Sequence, residues 1–145
     1  MKEMIKRIRE ERDGFTLAEL LIVVAIIAVL VAIAIPIFNA QLENSREATD
    51  AANLRSAYAE VSAAALTNAK DNDQNNGVTR GGDADGSYTW TKEVELEQTQ
   101  AGWQNDSLKG QKIGTVDIVD TIAVPGKKAK VVYTQSTNAV TISVD

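Results

Sequence analysis

Residues 20 to 38, "LLIVVAIIAVLVAIAIPIF", carry no charged or hydrogen-bonding side chain. No other stretch limits the fold so tightly. As a helix rising ~1.5 Å per residue the run reaches ~28 Å, close to the ~30 Å hydrocarbon thickness of a bilayer. A helix apolar on every side needs either a large protein around it or lipid. The rest of the sequence is rich in Asn, Asp, Thr, Gln and Gly and buries only a small core, so it cannot supply the first. The run therefore reads as a membrane-spanning helix. One carboxylate, Glu19, stands at its head. A charge at that place is costly and marks a function with a partner.

Residues 1 to 14, "MKEMIKRIREERDG", are densely charged and end in Gly. Lys2, Lys6, Arg7, Arg9 and Arg12 flank the span, and basic residues beside a span hold that end in the cytoplasm. The apolar run is longer than the core of a secretory signal, and its "AIA" at residues 32 to 34 lies inside continuing hydrophobicity rather than at a polar exit. Pro36 removes a backbone donor and clashes with the preceding turn, which predicts a kink or loosened helix there.

From Asn39 to Lys70 there is no Gly or Pro, and good helix formers abound. Ala51, Leu54, Tyr58, Val61 and Ala65 recur at three- and four-residue steps and make an apolar stripe. Glu43, Arg46, Glu47, Asp50, Arg55 and Glu60 are expected largely off that stripe. Residues 71 to 87 read as a loop, dominated by Gly, Asn and Asp. Tyr88, Trp90, Val94 and Leu96 alternate as on a half-buried strand, and Trp103 reads as an anchor folded onto the core. Strand patterns follow at 112–124, 130–134 and 139–144, with "QSTN" as a hairpin turn between the last two. Lys127, Lys128 and Lys130 suggest a turn leading into an edge strand protected by charge. The expected class is α+β: a long N-terminal helix, membrane-spanning in its first half and amphipathic in its second, packed on a small antiparallel β-meander.

Composition narrows the chemistry. The formal charge is -5 with an acidic pI near 4.8, and outside the leader the only basic cluster is at 127–130, so nucleic acid is not the expected partner. The 145 residues hold no Cys and no His, which removes thiolate and imidazole metal sites and Ser-His chemistry. "DNDQNNG", from Asp71, resembles a calcium loop at alternate positions, but Asn76 and Gly82 stand where an EF-hand needs Gly and an acid. No catalytic residue, metal ligand or cofactor is expected, and the sequence does not read as an enzyme.

"GFTLAELLIVVAIIAVLVAIAIP" resembles the N-terminus of the type IV pilin superfamily, with a type III leader. The matching positions are Gly14, Phe15, Thr16, Leu17, Glu19 and Pro36. The resemblance covers residues 1 to about 40 closely and the rest only in layout. It implies that a prepilin peptidase reads Thr16 and Leu17, cuts after Gly14 and methylates the new amine of Phe15. Domains would then run 1–14 (cleaved leader), 15–38 (transmembrane and polymerisation helix), 39–70 (amphipathic continuation) and 71–145 (globular head). Glu19 and Pro36 would serve assembly, Glu19 pairing with the Phe15 amine of an adjoining subunit and so setting register. Implied partners are further copies of the protein as a helical homopolymer, the peptidase, the assembly platform with its ATPase, and the bilayer before assembly. The precursor would sit in the cytoplasmic membrane with its C-terminal domain outside, then enter an extracellular pilus. A pseudopilin of a type II secretion system or competence pseudopilus shares the same N-terminus. The major secretion pseudopilin carries a calcium-holding loop near its C-terminus, and none is evident after Tyr133. An uncleaved, signal-anchored binding domain is the third reading, and it needs no cut at Gly14.

Overall fold

The computed structural model describes residues 1–5, 14, 16–70, 77–82 and 86–145. Phe15, most of the leader and most of the Asp/Asn-rich loop lie outside the described residues, and with them the calcium-loop reading of that segment. The protein divides into two compact units, Met1–Asn39 and Ala40–Asp145.

The first unit holds the start of a single long helix, α1 (Leu17–Leu66). Its opening stretch is long and apolar enough to cross a membrane, and its side chains are exposed throughout, Leu21 at 67% and Phe38 at 66%. Helical structure continues through Pro36 without interruption, so the expected loosening leaves no break. Proline has no N–H, and the carbonyl one turn earlier, on Ala32, therefore lacks its helical donor.

In the second unit the remainder of α1 packs on an antiparallel sheet, as the α+β expectation requires. The sheet orders β1 (Thr79–Gly81), β2 (Thr89–Glu95), β5 (Lys128–Thr134) and β6 (Ala139–Val144) side by side. Trp90 faces Tyr133, which faces Val140, and Val94 faces Ala129, which faces Val144. These alternate residues form the inner face, and Trp90, Ala129 and Val131 are at most 1% exposed. On the helix Ala51, Leu54, Ala57, Val61 and Ala64 meet them, with Tyr58 and Ala65 half-buried beside the core. Beyond Leu66 the helix is closed by its own backbone. Asn68 takes a left-handed turn at φ 46°, the Ala69 N–H donates to the Ala64 carbonyl at 2.9 Å, and that of Asn68 donates to Ala65 at 3.1 Å. This pair of bonds is a Schellman cap, and Ala69 in turn accepts the Trp90 indole N–H at 3.0 Å.

Three strand expectations need correction. The loop at 71–87 contains β1, because Thr79 and Arg80 lie in register with Thr91 and Trp90. The run 112–124 is not one strand. Gly114, at φ +60°, reverses the backbone between β3 (Lys112–Ile113) and β4 (Val116–Asp117), and a 3-10 turn follows at Asp120–Ile122. Lys128 and Lys130 sit on β5, an interior strand, where charge is not guarding an edge but is paired locally. Lys128 meets Glu95 at 3.2 Å and Lys130 meets Asp145. The connection from β2 to β5 is consequently long, and it carries the β3–β4 hairpin and buries Trp103, Leu108, Ile113, Ile118, Ile122 and Ala123.

Candidate functional site

Of the residues singled out at the leader junction, Gly14, Thr16, Leu17 and Glu19 are described, and they lie at or just before the first turn of α1. Gly14 is exposed, and no neighbour crowds the position where a side chain would begin. Leu17 is the first helical residue and is 87% exposed. Thr16 precedes it as N-cap. Its Oγ1 accepts the Glu19 N–H at 3.2 Å, and its own N–H donates to Glu19 Oε2 at 2.9 Å. The two bonds form a reciprocal capping box, in which each residue satisfies a backbone donor left over at the start of the helix. Glu19 also places a negative charge in the first turn, where the helix dipole favours it. The Thr-x-x-Glu spacing ahead of an apolar run is the sequence signal for this box, and a reading of Thr16 as a recognition residue alone passes over it. The structure brings Thr16 and Glu19 together. Pro36 lies about five helical turns further on and shares nothing with them.

A second constellation escapes the sequence reading. Glu43, Glu47 and Asp50 are at most 2% exposed, although the helical pattern places them off the apolar stripe. All three turn onto residues 97–105 of the β2–β5 connection. Asp50 accepts the N–H of Glu97 at 2.8 Å and of Gln98 at 3.0 Å. Glu43 accepts those of Thr99 and Gln100 at 2.6 and 2.7 Å, and the Thr99 hydroxyl at 2.6 Å. Glu47 accepts those of Gln104 and Asn105, both at 2.7 Å. Each carboxylate thus holds two consecutive peptide N–H groups that no strand ladder satisfies. From the other side, the Trp103 indole donates to the Val119 carbonyl at 3.0 Å, and the Gly102 N–H donates to Ala123 at 2.9 Å. The spacing 43, 47, 50, 54, 57, 61, 64 is continuous, so the carboxylates extend the buried stripe toward the N-terminus instead of leaving it.

Two of these carboxyls depart from ordinary behaviour in opposite directions. Burial pushes the Asp50 carboxyl up, against its two amide donors, and the charges of Glu97 and Glu43 add to the push. Burial acts on Glu43 too, but there the Thr99 hydroxyl, the Gln100 and Thr99 amides and Arg46 outweigh it and hold the carboxyl low. The consequences for stability have opposite signs. Asp50 binds its proton more tightly folded than unfolded, so acidification from neutral pH relieves a cost. The contribution of Glu43 is complete above the unfolded glutamate value of about 4.3 and is lost as pH falls through its lower folded value. The unfolding free energy is therefore expected to differ between wild type and Glu43→Gln at neutral pH and to converge as acid protonates the folded carboxyl. Denaturant titrations of both proteins from neutral pH into that acid range check this, and a gap that widens in acid would contradict the assignment. Among the described residues no cluster of acidic side chains has the arrangement of a metal site.

A family model for the prokaryotic N-terminal methylation motif, the signature of type IV prepilin leaders, matches residues 12–35. No curated protein and no solved structure matches the sequence. The motif ends where the exposed apolar half of α1 approaches Pro36, and it encloses Gly14, Thr16, Leu17 and Glu19. A leader of this type marks the precursors of pilin- and pseudopilin-like structural subunits, which are processed by a prepilin peptidase and handed to an assembly machinery.

Proposed function

We propose that the protein is a structural subunit of a bacterial type IV pilus, made as a membrane-anchored precursor, cut after Gly14 and methylated at the new amine of Phe15. The observation that carries this reading is the methylation motif at residues 12–35 laid over a helix whose apolar side chains are exposed along its whole first half. A bilayer satisfies that surface before assembly, and helices of neighbouring subunits satisfy it afterwards. Residues 15–38 act as the polymerisation helix, 39–70 continue it into the head, and 71–145 complete the head that faces outward. The partners are other copies of the subunit, the prepilin peptidase, and the assembly platform with its ATPase. The N-terminus is cytoplasmic and the head extracytoplasmic, then extracellular in the filament. The protein has no catalytic role and binds no cofactor in this reading.

Glu19 is the register residue. In a mature subunit out of step its carboxylate lacks a cation in an apolar bundle, while the correct axial step brings it to the Phe15 amine of a neighbour. Such a pair contributes little net stability once desolvation is counted, but it penalises wrong registers. Glu19→Ala is expected to be inserted and processed normally and to abolish efficient filament growth. Intact mass of the membrane-extracted protein reads processing, as loss of residues 1–14 and gain of one methyl group. Sheared surface fractions and immunogold microscopy read the filaments. An intact Met1 in the wild-type protein, or wild-type fibre yield from Glu19→Ala, would overturn the reading.

A further inference from the structure

We infer that the outer face of the head's sheet, the side turned away from α1, docks on the same face of a second copy of this protein, about a two-fold axis running along the strands. The strand registers fix what this face presents. Trp90, Val94, Ala129, Val131 and Val140 point toward the helix, so the residues between them point the other way. One cross-strand row is Thr79, Thr91, Val132 and Thr141, and the next is Gly81, Thr89, Thr134 and Ala139. Toward the other end of the strands the face becomes charged, in columns of one sign. Glu93 and Glu95 lie on β2, directly opposite Lys130 and Lys128 on β5. None of these residues is buried or belongs to the core.

The charge pattern is complementary to itself. A two-fold axis along the strands keeps each row at its level and exchanges β2 with β5. Glu93 and Glu95 of one copy then stand over Lys130 and Lys128 of the other, and the reverse pairing forms at the same time. An axis across the strands would set glutamate on glutamate, or charge on threonine, so the pattern selects the first. Lys128 already meets Glu95 of its own copy at 3.2 Å, and docking adds a second carboxylate from across the interface. Over the uncharged rows Thr91 meets Val132 of the second copy, and the short side chains let the sheets close to ~10 Å, aligned within ~30° as in a β-sandwich. At ~4.8 Å per strand and ~3.3 Å per residue the face measures roughly 400 Å², half of the ~800 Å² per partner in a standard interface. A single contact is therefore weak, and it gains strength where many copies are arrayed. For a filament subunit this is a contact between filaments, but it needs no leader cleavage and is tested without it.

The test uses full-length protein in detergent at millimolar concentration, where weak contacts register as paramagnetic broadening of amide signals. The sequence has no Cys, so Ser136→Cys in the exposed β5–β6 turn carries a single nitroxide, mixed with isotope-labelled copies that lack it. The stated axis carries that turn over the β1–β2 end of the second copy. The amides of Gly81 and Thr89 are therefore expected to broaden more than that of Ser143, and to lose the effect at ~1 M salt, where the screening length is ~3 Å. Lys128→Glu with Lys130→Glu makes both columns acidic, and Glu93→Lys with Glu95→Lys makes both basic. Exposed ion pairs add little to stability, so both variants are expected to fold. Each is expected to lose the broadening with itself and to regain it when the two are mixed. Exchanging all four charges in one chain keeps opposite signs across β2 and β5, and that variant is expected to broaden itself but not wild type. No broadening in wild type, broadening in a reversed variant alone, or none in the mixture would each overturn the inference. Contact through the apolar helix would leave the broadening the same in every variant, which overturns it equally. An uncut Gly14 in cells would count against the filament reading and leave this result untouched.

Discussion

Replacing Glu47 with alanine is expected to lower the unfolding free energy by about 3 kcal/mol, a large fraction of the roughly 5–15 kcal/mol typical of a domain. Glu47 is fully buried and holds the consecutive N–H groups of Gln104 and Asn105 at 2.7 Å. Truncation leaves both donors facing a cavity, and each unsatisfied donor costs on the order of 1–3 kcal/mol. Removal of a buried negative charge returns part of that, because burying an ion is itself unfavourable. Glu47→Gln keeps one acceptor but turns a donor toward the second amide, so it is expected to fall between alanine and wild type. Trp103, buried beside this loop and adjacent to Gln104, is a reporter for urea titrations of the full-length protein in detergent. A Glu47→Ala midpoint within error of wild type would mean that the clamp adds nothing to the fold.

Gly114→Ala is the second substitution with a large expected effect, again about 3 kcal/mol, from two independent causes. The residue adopts φ +60°, a left-handed conformation that costs an alanine roughly 1 kcal/mol. A Cβ there would also stand 2.1 Å from Cζ of Tyr58 and 2.5 Å from both adjacent ring carbons. The turn between β3 and β4 therefore rests directly on the tyrosine ring, and either the ring leaves its place against the core or the hairpin lifts. At ~4 °C or more per kcal/mol for a domain of this size, the thermal midpoint is expected to drop by more than about 10 °C. The paired change Gly114→Ala with Tyr58→Ala should recover part of the loss, since it removes the clash and keeps the backbone strain. A wild-type midpoint for the single variant would show that Tyr58 does not hold the hairpin.

What can be read from residues alone follows from whether each residue's partner is local. The apolar half of the long helix is legible because nineteen apolar residues admit few environments. Ala51, Leu54 and Val61 are legible because burial follows helical periodicity. β6 is found at its observed bounds because Val140, Ile142 and Val144 alternate without a glycine to break the pattern. Glu43, Glu47 and Asp50 escape such a reading for a physical reason. A charged residue is buried only when enough donors meet it, and here the donors are peptide N–H groups far away in sequence, which no side-chain pattern announces. Their phase with the apolar stripe is the available clue. The same limit explains β1, a three-residue strand recognised only through its pairing with β2, and the break at Gly114, set by where Tyr58 sits. At the candidate site the box is the opposite case. Thr16 and Glu19 are three residues apart, and their bonds are written in the spacing.

The carboxylate clamp has a consequence for how the head is made. A long connection pinned by a disulfide waits on an oxidant and on correct pairing, steps that run from seconds to hours. Here the same kind of connection closes on three side chains that are charged as soon as they reach neutral water. Closing this connection then needs only collapse of the chain onto the helix, with no disulfide to form. Its integrity is indifferent to reductants, and of its three carboxylates Glu43 is the one whose contribution acid removes.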